Sequence, residues 1–247
     1  MTLALFAPCY VDQLHPQVAI AALRVLERLG IDVDVPSSAT CCGQPSANAG
    51  FERAGEPALQ GFVRAFSRYE RTIVLSGSCA LHVRTHASSH GADGQYVAEH
   101  AMEFCTFLHD VVGLERVAAL NAQFARRVAV HIGCHALRGL GLASPSERNI
   151  GRFDKVRALL ATVGGLTFAN LTRPDECCGF GGSFSVAEAA VSAKMGRDRL
   201  RDYAGGRADA VVSTDVSCLM HLDGLARRGH IALPMLHVAE VLAAATA

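Results

Sequence analysis

Glu176-Cys177-Cys178-Gly179-Phe180-Gly181-Gly182 sets two adjacent cysteines directly against a glycine cluster. An earlier copy reads Thr40-Cys41-Cys42-Gly43-Gln44-Pro45. Adjacent cysteines rarely bond each other, because the small ring that results is strained. Two thiolates held side by side on a bend can instead face one bound metal centre. Glycine lets the backbone take positive φ there and lets a bulky inorganic group come close. Each pair sits in a matching frame. Thirty-one residues separate Cys9 from Cys41 and 42 separate Cys134 from Cys177, while 36 lie between Cys42 and Cys79 and 39 between Cys178 and Cys218. Ser78-Cys79-Ala80-Leu81-His82 is echoed by Ser217-Cys218-Leu219-Met220-His221. The spacing describes an internal duplication of a unit over a hundred residues long, not a solenoid repeat.

Outward from the pairs, each lone cysteine follows a short apolar run. Residues 3–8 precede Cys9, Thr72-Ile73-Val74-Leu75 precedes Cys79, Val128 to Ile132 precedes Cys134 and Ala208 to Ser213 precedes Cys218. These read as strands, as do Ile31 to Val35 and Leu166-Thr167-Phe168. Helical spacing is expected over Pro16 to Gly30, Pro57 to Tyr69, Glu99 to Val112, Lys155 to Val163, Val186 to Tyr203 and from His237 onward. Polar, Gly-containing residues 88–95 read as a loop. Around residues 113–126 the pattern ends and starts again. The expected fold is α/β, in two pseudo-symmetric repeats of alternating strands and helices with mainly parallel sheets, residues 1–122 and 123–247. Ligands of such sheets collect outside the carboxyl ends of the strands, where Cys9, Cys79, Cys134 and Cys218 fall. In each half one lone cysteine, one adjacent pair and one further cysteine converge on a single edge, enough thiolates for a metal or a cluster. Cys105 instead lies inside the apolar stripe Ala101, Phe104, Cys105, Leu108 and Val112 and reads as core.

Composition narrows the function classes. The chain is 50% apolar, its formal net charge is zero and it has no long basic run, which argues against a nucleic-acid or anionic-membrane footprint. No apolar run reaches the length of a membrane span. The start lacks a basic leader and a cleavage site, so a cytoplasmic protein is expected. In that compartment nine cysteines point to metal binding or catalysis rather than disulfides.

The motifs Cys9-Tyr10-Val11-Asp12, Cys41-Cys42-Gly43-Gln44-Pro45, Ser76-Gly77-Ser78-Cys79, Cys177-Cys178-Gly179-Phe180-Gly181-Gly182 and Thr214-Asp215-Val216-Ser217-Cys218-Leu219-Met220 together resemble the cysteine-rich CCG domain. That domain occurs twice in one of the subunits of heterodisulfide reductase and in the glycolate oxidase iron–sulfur subunit. Over essentially the whole chain the pattern is most similar to the lactate utilization protein A family. The heterodisulfide reductase pattern ends each unit with Cys-x-x-Cys, whereas Ser76 and Asp215 stand at the first of those positions here. Four cysteines per half remain, the usual number for a [4Fe–4S] cluster. The resemblance thus implies two such clusters, with Cys9, Cys41, Cys42 and Cys79 holding one and Cys134, Cys177, Cys178 and Cys218 the other.

Other readings of the same residues stay open. Soft thiolates also suit zinc, and Cys79-x-x-His82 and Cys218-x-x-His221 pass for zinc ligand pairs. Protein handled in air can lose iron and then carry zinc or nothing. As an alternative, His82 and His221 cap or hydrogen-bond around the centre. His131 and His135, flanking Cys134, either tune it or are packed strand-end histidines. Gly179-Phe180-Gly181-Gly182 lacks the Lys-Ser/Thr of a P-loop and the spacing of a dinucleotide fingerprint, and no nucleophile elbow appears.

The resemblance implies an iron–sulfur electron-transfer subunit of an oxidoreductase complex that oxidises L-lactate to pyruvate, with partner subunits of which one is also iron–sulfur. No catalytic residue is assigned. The alternatives are a thiol- or disulfide-handling catalyst of heterodisulfide reductase type, and a zinc-stabilised scaffold that is not an enzyme.

Overall fold

Alternation of buried faces organises the chain. In the computed structural model, which describes residues 2–38 and 41–244, strand β1 (Leu3–Phe6) is buried along its whole length. Leu3 and Leu5 enter one core while Ala4 and Phe6 enter another on the opposite face. A strand with both faces covered needs no polar alternation, which is why the strand runs read as continuously apolar. Thr40 of the first cysteine motif lies outside the described residues.

The first half continues through α1 (Cys9–Leu14), α2 (Pro16–Arg28), β2 (Val33–Asp34), α3 (Gln44–Asn48), α4 (Glu52–Phe66), β3 (Arg71–Val74), α5 (Gly77–His86), α6 (Gly91–His100), β4 (Ala101–Glu103), α7 (Phe104–Phe107) and α8 (Leu114–Ala118). The second holds β5 (Arg127–His131), α9 (Lys155–Leu160), β6 (Thr167–Phe168), α10 (Phe184–Ala187), α11 (Ala189–Gly205), β7 (Ala210–Ser213), α12 (Val216–Arg228), β8 (Met235–His237) and α13 (Val238–Leu242). The strands form two four-stranded sheets of matching order, β2-β1-β3-β4 and β6-β5-β7-β8. Every pairing in both is parallel, so the α/β architecture of two repeated units is the one expected.

The largest core joins the sheets. It takes Leu3, Leu5 and Ile73 from the first sheet, Val128, Val130 and Val212 from the second, and helix residues such as Leu26, Leu108, Leu159 and Leu242. Smaller cores lie on the outer faces, around Phe6, Phe62 and Phe66 and around Leu200, Tyr203 and Leu222. From β1 the chain crosses to one side to make β2 and returns to the other to make β3, and β5, β6 and β7 repeat the move. The crevice between diverging crossovers falls at the carboxyl ends of β1 and β3 and of β5 and β7. No helix among the described residues is long and apolar enough to cross a membrane.

Several elements differ from the expected ones. Residues 88–95 are helical rather than a loop: Ala87–His90 is a 3-10 turn and α6 follows it. Gly94 is the reason, because a Cβ there would collide with the Ala87 carbonyl oxygen. The helix expected over Glu99 to Val112 is split into β4, α7 and a π-helical turn, Leu108–Val112. Glu103 makes the break by capping α7, its carboxylate accepting the Thr106 N–H at 2.8 Å. Helix α4 begins at Glu52, ahead of Pro57, because Gly55 packs its first turns against Gly43. The long helix near Val186 is two helices interrupted at Glu188.

Candidate metal centre

Both halves present their cysteines by the same local devices. Cys9 starts α1 after β1, and Cys134 follows β5 at the start of a π-helical turn, His135–Gly139. Cys79 and Cys218 lie in the first turns of α5 and α12. The adjacent pairs sit on a bend whose next residue, Gly43 or Gly179, has φ of 89°. A side chain there would be strained, and its Cβ would lie 2.7 Å from the Gly55 carbonyl oxygen or 2.6 Å from that of Ser192. The bend turns backbone donors toward sulfur: Gly43 N–H donates to Cys41 Sγ at 3.4 Å and Gly179 N–H to Cys177 Sγ at 3.3 Å.

In each half the thiols form a chain of contacts. Cys42 and Cys9 both hydrogen-bond to Cys41, whose pKa falls to about 2, and Cys42 also meets Cys79. Cys134 and Cys178 do the same to Cys177, again lowered to about 2, and the Cys178 and Cys218 sulfurs are 3.1 Å apart. The neighbours in each chain move the other way: Cys9 is raised by its bond to Cys41, and Cys134 by its bond to Cys177. One sulfur of each set is thus held ionised by its neighbours, the state in which cysteine binds a metal. Cys105 is fully buried in the main core, where burial holds its thiol in the neutral form.

The two sets share a cavity of about 120 Å³. Seven of the eight motif cysteines line it, all except Cys41, together with Ser76, Ser78, His135 and Asp215. A larger concavity of about 830 Å³ beside Ser146 to Arg157 contains no cysteine. Across the shared cavity the two halves touch. Ser76 caps α5 by accepting the Cys79 N–H at 3.3 Å, and its hydroxyl donates to Asp215 Oδ1 at 2.6 Å. Ser78 donates to the same oxygen at 2.9 Å. The two positions that lack a cysteine therefore meet each other.

The histidines divide. His82 and His221 lie beside the cysteine bends: His221 Nε2 is 3.4 Å from the Ser192 carbonyl oxygen, and burial lowers His82 to about 4. His135 lines the cavity. His131, at the end of β5, is fully buried, and burial together with the nearby Arg199 charge lowers it to about 3, so the ring is neutral. Its Nδ1 lies 2.9 Å from the Tyr203 hydroxyl, and its Nε2 has no hydrogen-bond partner. Among the described residues, one ligating atom each of His131, Cys178 and Cys218 all lie within 4.8 Å of one another. This donor set of soft sulfurs, with a buried histidine whose Nε2 is unpartnered, fits a thiophilic metal or an iron–sulfur group. Sequence reasoning missed Arg199, Tyr203 and the pairing of Ser76 with Asp215. It also missed the edge-on contact of Tyr10 with Phe180, centroids 6.1 Å apart, which links the first half to the second at the cavity rim. Only the displacement of cysteine at residues 76 and 215 hinted at any of them.

A family model described as a cysteine-rich domain, CCG, matches the chain twice, over residues 3–84 and 128–223. The chain is 32% identical to lactate utilization protein A 1 of Bacillus mycoides, over 98% of this chain and 96% of that protein. It is 31% identical to lactate utilization protein A of a Geobacillus strain and 32% to that of Anoxybacillus flavithermus, each over 98% of this chain and 99% of the relative.

Proposed function

Given that the chain belongs to the lactate utilization protein A family of cysteine-rich CCG proteins, we propose that it is an iron–sulfur electron-transfer subunit acting in L-lactate oxidation. The observation that carries this reading is the pair of four-thiol chains opening on one cavity. Cys9, Cys41, Cys42 and Cys79 hold one centre and Cys134, Cys177, Cys178 and Cys218 the other, with residues 1–122 and 123–247 as the two repeats. When bound, [4Fe–4S] clusters supply single-electron storage.

The chain's own residues do the rest. The glycine bends aim N–H groups at Cys41 and Cys177 and offset their negative charge. The apolar cores behind Cys42 and Cys178 exclude water from the inner sulfurs. Ser76 and Asp215 tie the sets together, keeping both within one short electron path. In this reading the removal of a hydride from lactate belongs to a partner subunit, and the assembly works in the cytoplasm.

A zinc-stabilised scaffold is the second reading, favoured by the grouping of His131 with Cys178 and Cys218. The experiment is anaerobic purification and reconstitution of the chain, followed by iron, sulfide and zinc analysis. Lactate oxidation is then assayed with an artificial acceptor. Two clusters with turnover only after partner subunits are added is the expected result. Stoichiometric zinc, or pyruvate formation by this chain alone, overturns the assignment.

A further inference from the structure

The two halves differ in what stands behind their cysteines. Phe6 lies three residues before Cys9 and pairs with Val74, and His131 lies three before Cys134 and pairs with Ser213, the position equivalent to Val74. Gly43 abuts Gly55 as Gly179 abuts Ser192. Counting equal steps along the helices from Gly55 and Ser192 makes Phe62 the counterpart of Arg199 and Phe66 that of Tyr203. In the first half these positions form an aromatic cluster, Phe6 lying 4.8 Å from Phe62 and 5.7 Å from Phe66 between ring centroids. In the second half the same three positions carry a buried polar chain.

That chain has a direction. Arg199 can only donate, and its Nε–H donates to the Tyr203 oxygen at 3.3 Å. Its charge is balanced by Asp202, 3.1 Å from Nη1. Among the described partners of the tyrosine hydroxyl, His131 Nδ1 is the acceptor left for its hydrogen. A neutral imidazole whose Nδ1 accepts carries its own proton on Nε2. Nε2 is the nitrogen without a partner, and the ring brings one of its nitrogens within 4.8 Å of the Cys178 and Cys218 sulfurs.

We propose that Arg199 and Tyr203 lock His131 in the Nε2–H tautomer, so that its free N–H is the donor on hand for the Cys178–Cys218 sulfur pair when a centre is bound, and His131 serves as a positioning residue rather than a metal ligand. Coordination through Nε2 would need the opposite tautomer, leaving the buried tyrosine hydrogen without its acceptor. The consequence for redox rests on the iron–sulfur reading above. A donor to sulfur stabilises the more negative, reduced state, whereas Phe6, Phe62 and Phe66 offer no donor. With iron–sulfur groups bound to both sets, the second half would be the more readily reduced of the two, with no bond made and no proton moved.

The test has two arms. Nitrogen NMR of the metal-free chain labelled at histidine reads the tautomer. EPR-monitored redox titration of the reconstituted chain reads each half, with Cys134→Ser identifying the second-half signal. The expected result is Nε2–H on His131. In Tyr203→Phe and in His131→Phe the ratio of reduced to oxidised centre in the second half should fall roughly tenfold at fixed potential, about 59 mV for one electron, with the first half unmoved. Tyr203→Phe keeps the ring volume if the histidine variant does not fold. An Nδ1–H tautomer, a coordinated-imidazole nitrogen coupling, equal shifts in both halves or no shift in either variant overturns the proposal. If no cluster forms, the electron-transfer reading fails, and the tautomer still decides the hydrogen bond.

Discussion

The Ser76 hydroxyl donates to Asp215 Oδ1 across 2.6 Å, joining the residue that caps α5 to the residue that immediately precedes α12. The close approach is permitted by Gly77 and Gly133, where a Cβ would stand 3.3 Å and 3.1 Å from Asp215 Oδ2. Asp215 is buried, and its carboxylate is satisfied by two hydroxyls from the other half. Asp215→Ala leaves both hydroxyls without that acceptor and should cost about 2–4 kcal/mol, and Ser76→Ala about 1 kcal/mol. Urea unfolding of both and of the double variant checks this. A near-neutral Asp215→Ala would show that the contact does not hold the halves together.

Cys178→Ser and Cys105→Ser should separate ligand from core. The first removes a sulfur from the second set, and about half of the reconstituted iron and sulfide should be lost with it. The second places a hydroxyl among apolar neighbours, costing about 1–3 kcal/mol, and should leave the iron content unchanged. Iron loss on changing Cys105 would place that residue among the ligands.

Gly43→Ala and Gly179→Ala should each disable one centre without touching a cysteine. Both glycines have φ of 89°, and the added methyl would press on a carbonyl oxygen less than 3 Å away, 2.7 Å at Gly43 and 2.6 Å at Gly179. The strain should cost about 1–3 kcal/mol. Relief by flattening the bend withdraws the N–H groups from Cys41 or Cys177. Thermal melting and iron analysis of each variant test this; normal iron with normal melting would mean that the bend is not required.

Glu103 should give the fold a pH dependence. Burial raises its carboxyl from 4.5 to about 7. Between those values the folded state holds a proton that the unfolded chain has released, so stability should fall as pH rises through this window and level off above it. The full effect is on the order of 3 kcal/mol. Glu103→Gln keeps an acceptor for the Thr106 N–H and should flatten the slope. Asp154 and Asp215 are also raised by burial, so part of the slope should remain. Parallel profiles for the two proteins would exclude Glu103 as the source.

The sequence alone determined the repeat, the parallel α/β class and the grouping of cysteines at strand ends, because these follow from periodicity and spacing within one element and its neighbour. Cys9, Cys79, Cys134 and Cys218 were legible because an apolar run ending in cysteine marks the carboxyl end of a strand. Strand β4 was not, since three residues are too few to show a period and Ala101 to Glu103 fit a helical stripe equally well. Only the tertiary structure decided that Ser76 meets Asp215 and that His131, Arg199 and Tyr203 form one buried chain. Arg199 and Tyr203 share α11, but His131 comes from β5, and Ser76 and Asp215 come from opposite halves of the chain. What brings them together is the packing of two sheets around a shared core, a long-range arrangement that no local pattern encodes.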